Sequence, residues 1–167
     1  MESYEGNKLK QISIALGIRY KTGDILGARV ATMKCKGPMA AKSQKLYPLR
    51  TDTREAAFRS VVQNVARVAK PCITIASDAK PSYGNIIKGV IPDAVHTPYK
   101  RPKRKKKDDP EIEKGLDPLY RLNHMAAMLR ADISRLARRT WAASKMWERL
   151  EDHLSIYIAF NNHYSLF

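Results

Sequence analysis

Two side chains with metal-capable oxygens stand at the ends of recognisable elements. The apolar run Cys72-Ile73-Thr74-Ile75-Ala76-Ser77 closes on Asp78, and Arg121-Leu122-Asn123-His124 opens an amphipathic pattern. Between them, Lys100, Arg101, Lys103, Arg104, Lys105, Lys106 and Lys107 form one nearly unbroken basic run. An acid at a strand end and a second oxygen donor at a helix start suit divalent-metal phosphoryl transfer, and the cations between them would attract a polyanionic substrate. Each feature also has a plainer reading. A lone aspartate after a strand often serves a turn, asparagine is a preferred helix N-cap, and a basic run can be a solvated loop.

The balance of charge favours the polyanion. Lys and Arg number 31 against 16 Asp and Glu, a formal net charge of +15 over 167 residues. Such an excess points to nucleic acid or to an anionic membrane surface. The membrane is the weaker partner, because no apolar run approaches the roughly 20 residues that span a bilayer. Met1-Glu2-Ser3-Tyr4-Glu5 also lacks the basic start and apolar stretch of a signal peptide. The expectation is a cytoplasmic, DNA-associated protein with no membrane partner. Cys35 and Cys72 show no CxxC or Cys/His spacing and read as reduced structural thiols. His96, His153 and His163 have no metal-ligand spacing, and His124 and Trp141 read as packing residues.

The elements that must position these residues follow from periodicity. Ile12, Ile14, Leu16 and Ile18 alternate with Ser13, Ala15, Gly17 and Arg19, the pattern of a half-buried strand. Lys21-Thr22-Gly23-Asp24 supplies a turn, and residues 25–33 return as the second strand of an antiparallel hairpin. Residues 34–49 read as a loop with at most one short helix. Asp52 or Thr53 then caps a helix striped with Phe58, Val61, Val62, Val65 and Val68. The run at 72–77 reads as a central strand buried on both faces. A short helix over 81–90 and a strand over 94–97 complete a ββαβαβ order, an α/β layer pattern. Residues 100–115 form the basic loop, which turns acidic at Asp108-Asp109-Pro110-Glu111. Leu122, Met125, Leu129, Ile133 and Leu136 stripe one long helix, and Trp147, Leu150, Leu154, Ile158 and Phe160 stripe a last one, so helices occupy about 118–163. The whole chain, 1–167, fits one domain.

The run from Arg121 to Lys145 resembles the terminal catalytic helix of insertion-sequence transposases of the DDE superfamily, of the insertion-sequence-one type. Its basic ending, Arg138-Arg139-Thr140 followed by Ser144-Lys145, carries most of that likeness. Met1-Glu-Ser-Tyr-Glu-Gly-Asn-Lys8 is similar to the tail of the family's first motif, D-E-x-x-S-Y-x-G-x-K. Ser77-Asp78 with Tyr83 resembles the second, S/T-D-x-x-x-x-Y.

The resemblance implies a ribonuclease H-like fold: a mixed five-stranded sheet flanked by helices, here with a truncated first strand. It implies that Asp78 is the second member of the catalytic triad and that Asn123 stands where most relatives carry glutamate. The family's first aspartate would fall two residues before Met1, and Glu2, at an odd offset on a strand, would point to the opposite face. The cofactor implied is Mg²⁺, with Mn²⁺ as the alternative, held by Asp78 and Asn123. In the family's mechanism two such ions, about 3.5–4 Å apart, activate water and then the freed 3′-hydroxyl. The partners implied are DNA, as element ends and target, and further copies of the chain. Expected DNA contacts are Lys80, the basic run named above, Arg130, Arg138, Arg139 and Lys145. Composition alone supports a non-enzymatic nucleic-acid-binding protein equally well, and an inactive transposase remnant is a third reading.

Overall fold

The structure is a computed structural model that describes residues 1–47, 50–100, 117–137 and 141–164. Strands β1 (Glu2–Glu5), β2 (Asn7–Ile18) and β3 (Ile25–Thr32) form an antiparallel sheet in the order β1-β2-β3. The β2–β3 register pairs Ile14 with Val30 and Leu16 with Ala28, so the alternating apolar residues of β2 share a face with those of β3. At the connecting turn Gly23 takes φ +85°, its N–H donates to the Arg19 carbonyl at 2.8 Å, and the Arg19 guanidinium meets Asp24 at 3.0 Å. Glycine meets that left-handed backbone at no steric cost.

Helices cover both faces of this sheet. The even-numbered face of β2 buries Ile12 and Ile14 with Ala28 and Val30 against Leu129, Ile133, Leu136, Leu150 and Leu154. These come from α4 (Tyr120–Asp132), a 3-10 turn at Ser134–Leu136, and α5 (Trp147–Tyr164). Each fully buried leucine there stabilises the fold by about 1.5–3 kcal/mol relative to exposure. The odd-numbered face meets α2 (Arg54–Val68), which approaches closely because β2 places Gly17 there: a Cβ on it would lie 2.8 Å from Val61 Cγ1. Side chains of α5 satisfy the outer edge of β3. Asn162 accepts from the Ile25 N–H and donates to the Ile25 carbonyl, both at 2.9 Å, and Glu151 accepts from the Val30 N–H at 3.2 Å. That edge is thereby closed to further strand pairing.

A second, parallel sheet pairs β4 (Thr74–Asp78) with β5 (Val95–Tyr99), linked by α3 (Pro81–Val90). Ile73 and Ile75 pack with Val62, Ile87 and Ala94 under α2 and α3, so α2 serves both sheets. The architecture is therefore mixed α/β, as the periodicity predicts, but its strands form sheets of three and two rather than one of five. β1 has four residues and its ladder with β2 slips between Tyr4 and Glu5, so its outer edge is short and irregular, and no ladder joins it to β4.

Several expectations need correction. β4 is not buried on both faces: Thr74, Ala76 and Asp78 are exposed, because helices cover only one side of this strand pair. The long helix expected from 121 to 145 stops at Asp132, where Ile133 turns to extended backbone, though Ile133 and Leu136 keep their place in the core. Val68 and Phe160 lie outside the buried stripes, at 55% and 59% exposure, and Tyr157 packs where Phe160 was expected. The linker after β3 does hold a short helix, α1 (Ala40–Leu46).

Candidate functional site

The turn after β4 fixes the surroundings of Asp78. The Lys80 N–H donates to the Asp78 carbonyl at 2.9 Å, and Pro81 occupies the first position of α3, where its missing N–H costs nothing. Ser77, buried beneath, donates from Oγ to the same carbonyl at 2.8 Å and lies 2.8 Å from Nε2 of His96 on β5. With the hydroxyl proton on the carbonyl, His96 must be the donor in that second contact. The peptide that carries Asp78 is thus held from both sides, while its side chain faces solvent.

Around it the structure gathers groups from three elements. The Tyr83 ring of α3 stacks on Phe58 of α2, with centroids 3.7 Å apart and planes 9° from parallel, and Lys80 Nζ lies over the same ring at 5.2 Å. Burial pushes the Tyr83 phenol up, the Asp78 charge adds to the rise, and Arg54 opposes it. Arg54, the first residue of α2, grips the Asp52 carboxylate through Nε at 2.9 and 3.1 Å and through a second guanidinium nitrogen. That charge-assisted pairing holds Asp52 down at about 2, against the smaller opposing effect of burial. Asp52 also accepts from the Arg54 N–H at 3.1 Å, so it serves the start of α2. Thr53, the other expected cap, instead accepts the Thr32 N–H at 3.0 Å. Asp78, Lys80, Tyr83, Arg54 and Asp52 therefore form one charged cluster. Of these, Arg54 escaped the sequence reading, for its role depends on where α2 starts relative to β4. The adjacent Asp52-Thr53-Arg54 was the available signal.

Asn123 belongs to a different local structure. It is the fourth residue of α4, not its cap, and its N–H donates to the Leu119 carbonyl at 2.8 Å within the first turn. Asp117 tethers the entry to the helix: its carboxylate accepts the Leu119 N–H at 2.9 Å and the Asn123 side-chain nitrogen at 2.7 Å, and its carbonyl accepts from Tyr120. The amide nitrogen being so engaged, Oδ1 is the atom Asn123 can offer to a cation. No hydrogen bond joins Asn123 to the Asp78 cluster.

The remaining expected contacts are distributed. Lys100 is exposed just beyond β5, Arg130 is half-buried on α4, and Lys145 is exposed before α5. Arg101, Lys103, Arg104, Lys105, Lys106, Lys107, Arg138 and Arg139 lie outside the described residues. Glu2 is exposed, with Lys36 Nζ at 4.0 Å and Arg54 within reach of its charge, which puts it on the α2 side of β1. Ser3 and Glu5 take the other parity and are buried.

Among the described residues no group of three or more His, Cys, Asp or Glu side chains is placed to hold a metal. Mg²⁺ commonly uses only one or two carboxylates and completes its shell with water and substrate phosphate. The exposed carboxylate of Asp78 fits one such ion. It does not by itself supply a pair. No protein-family model, curated protein or solved structure matches the chain.

Proposed function

We propose that this chain is a DNA-handling catalytic domain of the DDE transposase type, which binds duplex DNA and presents Asp78 to a phosphodiester. On this reading the α/β layers are ribonuclease H-like, with β4–β5 continuing beyond β1. The observation that carries the proposal is the placement of Asp78: exposed at the carboxyl end of a parallel strand, on a peptide held by Ser77 and Lys80, near Tyr83, which Lys80 and Arg54 also approach. Open ends of parallel strands are where α/β folds place ligands, and the net charge of +15 selects a polyanion.

Mg²⁺, or Mn²⁺ in its place, would be held by Asp78, with Asn123 Oδ1 the second donor that the family resemblance assigns, and when bound would neutralise charge on the attacked phosphate. This chain's own residues do the rest. Lys80 and Lys100 attract the backbone, the Ser77–His96 contact keeps the Asp78 peptide in place, and the Phe58–Tyr83 stack fixes the start of α3. Further copies of the chain would bring two DNA ends together.

The test is binding to unrelated duplexes over a range of salt, followed by plasmid nicking with Mg²⁺ or Mn²⁺. We expect tight, salt-sensitive binding with little sequence preference, and slow nicking at most, because one acid cannot hold an ion pair. Failure to bind duplex DNA at low salt would remove the proposal. Binding with nicking that survives Asp78→Asn would favour the reading as a non-enzymatic nucleic-acid-binding protein, with contaminating nuclease as the source of cleavage.

A further inference from the structure

A second basic surface lies away from the Asp78 cluster, where the chain enters α5. Arg135, Lys145, Arg149 and His153 line a groove of about 460 Å³, with Asp152 as its acid and Ser144 among its lining residues. Three stretches contribute: the 3-10 turn after α4, residues 144–146, and the first turns of α5. Three permanent cations against one acid leave the groove positive, and among the described residues Asp152 pairs with Arg149, at 3.3 Å on an exposed surface. Such an exposed pair is worth little and gives way readily to a stronger anion.

The groove is anchored rather than a chance gathering of mobile side chains. Ser144 is fully buried, its Oγ donates to the Met146 carbonyl at 2.7 Å, and its own carbonyl accepts the Gly6 N–H at 2.7 Å. That last bond ties the segment to the β1–β2 corner. The groove thus adjoins the Gly6 end of β1, whereas Arg54 and the Asp78 cluster sense the charge of Glu2 at the other end.

We propose that this groove is a second DNA-backbone site, taking a phosphodiester between Arg135, Lys145 and Arg149. The inference rests on the reading of the chain as DNA-binding but not on any chemistry at Asp78.

The experiment compares two triple variants of the full chain in duplex binding over a salt series. One is Arg135→Ala with Lys145→Ala and Arg149→Ala; the other removes three exposed cations elsewhere, Lys21→Ala with Arg67→Ala and Lys88→Ala. The groove variant should lower the log–log salt slope by about two to three units. The control should change it by less than about one unit, since its charges touch no phosphate. Equal changes in the two would overturn the site. Should the groove variant fail to fold, Asp152→Asn gives the opposite sign: it should bind DNA more tightly, while Asp93→Asn, also exposed, should not. Equal affinities in those two would likewise overturn it. A wild-type chain that does not bind duplex DNA would fail this inference and the proposed function together, whereas binding with an indifferent groove fails this inference alone.

Discussion

Asn123 donates its side-chain N–H to the carboxylate of Asp117 at 2.7 Å, six residues back, and this bond helps tie the entry segment to the first turn of α4. Asp117 accepts from the Leu119 backbone in the same motif. The two residues therefore act as a unit. Asp117→Ala should cost more than Asn123→Ala, about 1–2 kcal/mol against about 0.5–1 kcal/mol, since it loses two bonds rather than one. Urea denaturation of both single variants and the double variant checks this, with the double expected to cost less than the sum.

Asn123→Glu puts a second acid beside Asp117. Without divalent ions it should lower the melting temperature through like-charge repulsion, and millimolar Mg²⁺ should restore part of the loss by binding the folded state. A melting temperature indifferent to Mg²⁺ in this variant would show that the start of α4 does not gather oxygen donors for a cation.

The contact of Gly17 with Val61 limits the distance between β2 and α2. Gly17→Ala should destabilise by about 1–3 kcal/mol, because its Cβ would fall 2.8 Å from a buried, β-branched side chain. Gly27→Ala should cost less, since it would meet the Asn64 amide at 3.0 Å, the flexible end of a side chain. Val61→Ala combined with Gly17→Ala should recover part of the loss, which thermal unfolding of the three variants measures.

The Asp52–Arg54 pair sets an acid limit. Asp52 titrates at about 2 in the fold against 3.8 for an ordinary aspartate, so its contribution is complete above about pH 4 and is lost as pH falls through about 2. Both side chains are partly exposed, at 35% and 27%, so solvent screening holds that contribution under about 1 kcal/mol. The stability difference between wild type and Asp52→Asn should be constant from pH 7 to 4 and shrink toward pH 2. A carbon-detected titration of the Asp52 carboxyl reads the same transition directly.

Local periodicity carried most of the element order. The alternation at Ile12, Ile14 and Leu16 and the turn at Gly23 define the first hairpin, and Pro81 with Ile86 and Ile87 defines α3. What periodicity does not encode is which strands share a ladder. Cys72–Ser77 reads as a central strand because its residues are apolar, yet Thr74 and Ala76 are exposed, since burial depends on what covers a face and not on the residues that form it. Ile133 keeps its core position though the helix has ended, because a stripe records contact with the core and not continuity of the backbone. The place of Asp78 at the end of β4 was legible from the apolar run before it. Arg54 was not, because its approach to Tyr83 is a tertiary fact, and the plainer reading of Asn123 as a helix cap fails because Asn123 is the fourth residue of α4.

The basic run should carry a large share of the affinity for DNA. Replacing Lys103, Arg104, Lys105, Lys106 and Lys107 with alanine should reduce the log–log salt slope by about four to five units if each neutralises one phosphate. Fluorescence anisotropy with a labelled duplex between low and physiological salt gives the slope. An unchanged value would remove this segment from the DNA-binding surface.

On the proposed function, Asp78 addresses a phosphodiester of bound DNA through a divalent ion. The most direct measurement is Mn²⁺ binding by the protein–DNA complex, followed through water-proton relaxation, in wild type and in Asp78→Asn. The account predicts that both proteins bind DNA, the variant as tightly or more so because it loses a negative charge near phosphate. It further predicts that the wild-type complex takes up Mn²⁺ beyond what protein and DNA bind separately, and that Asp78→Asn abolishes this excess. Equal Mn²⁺ uptake by the two complexes would contradict it.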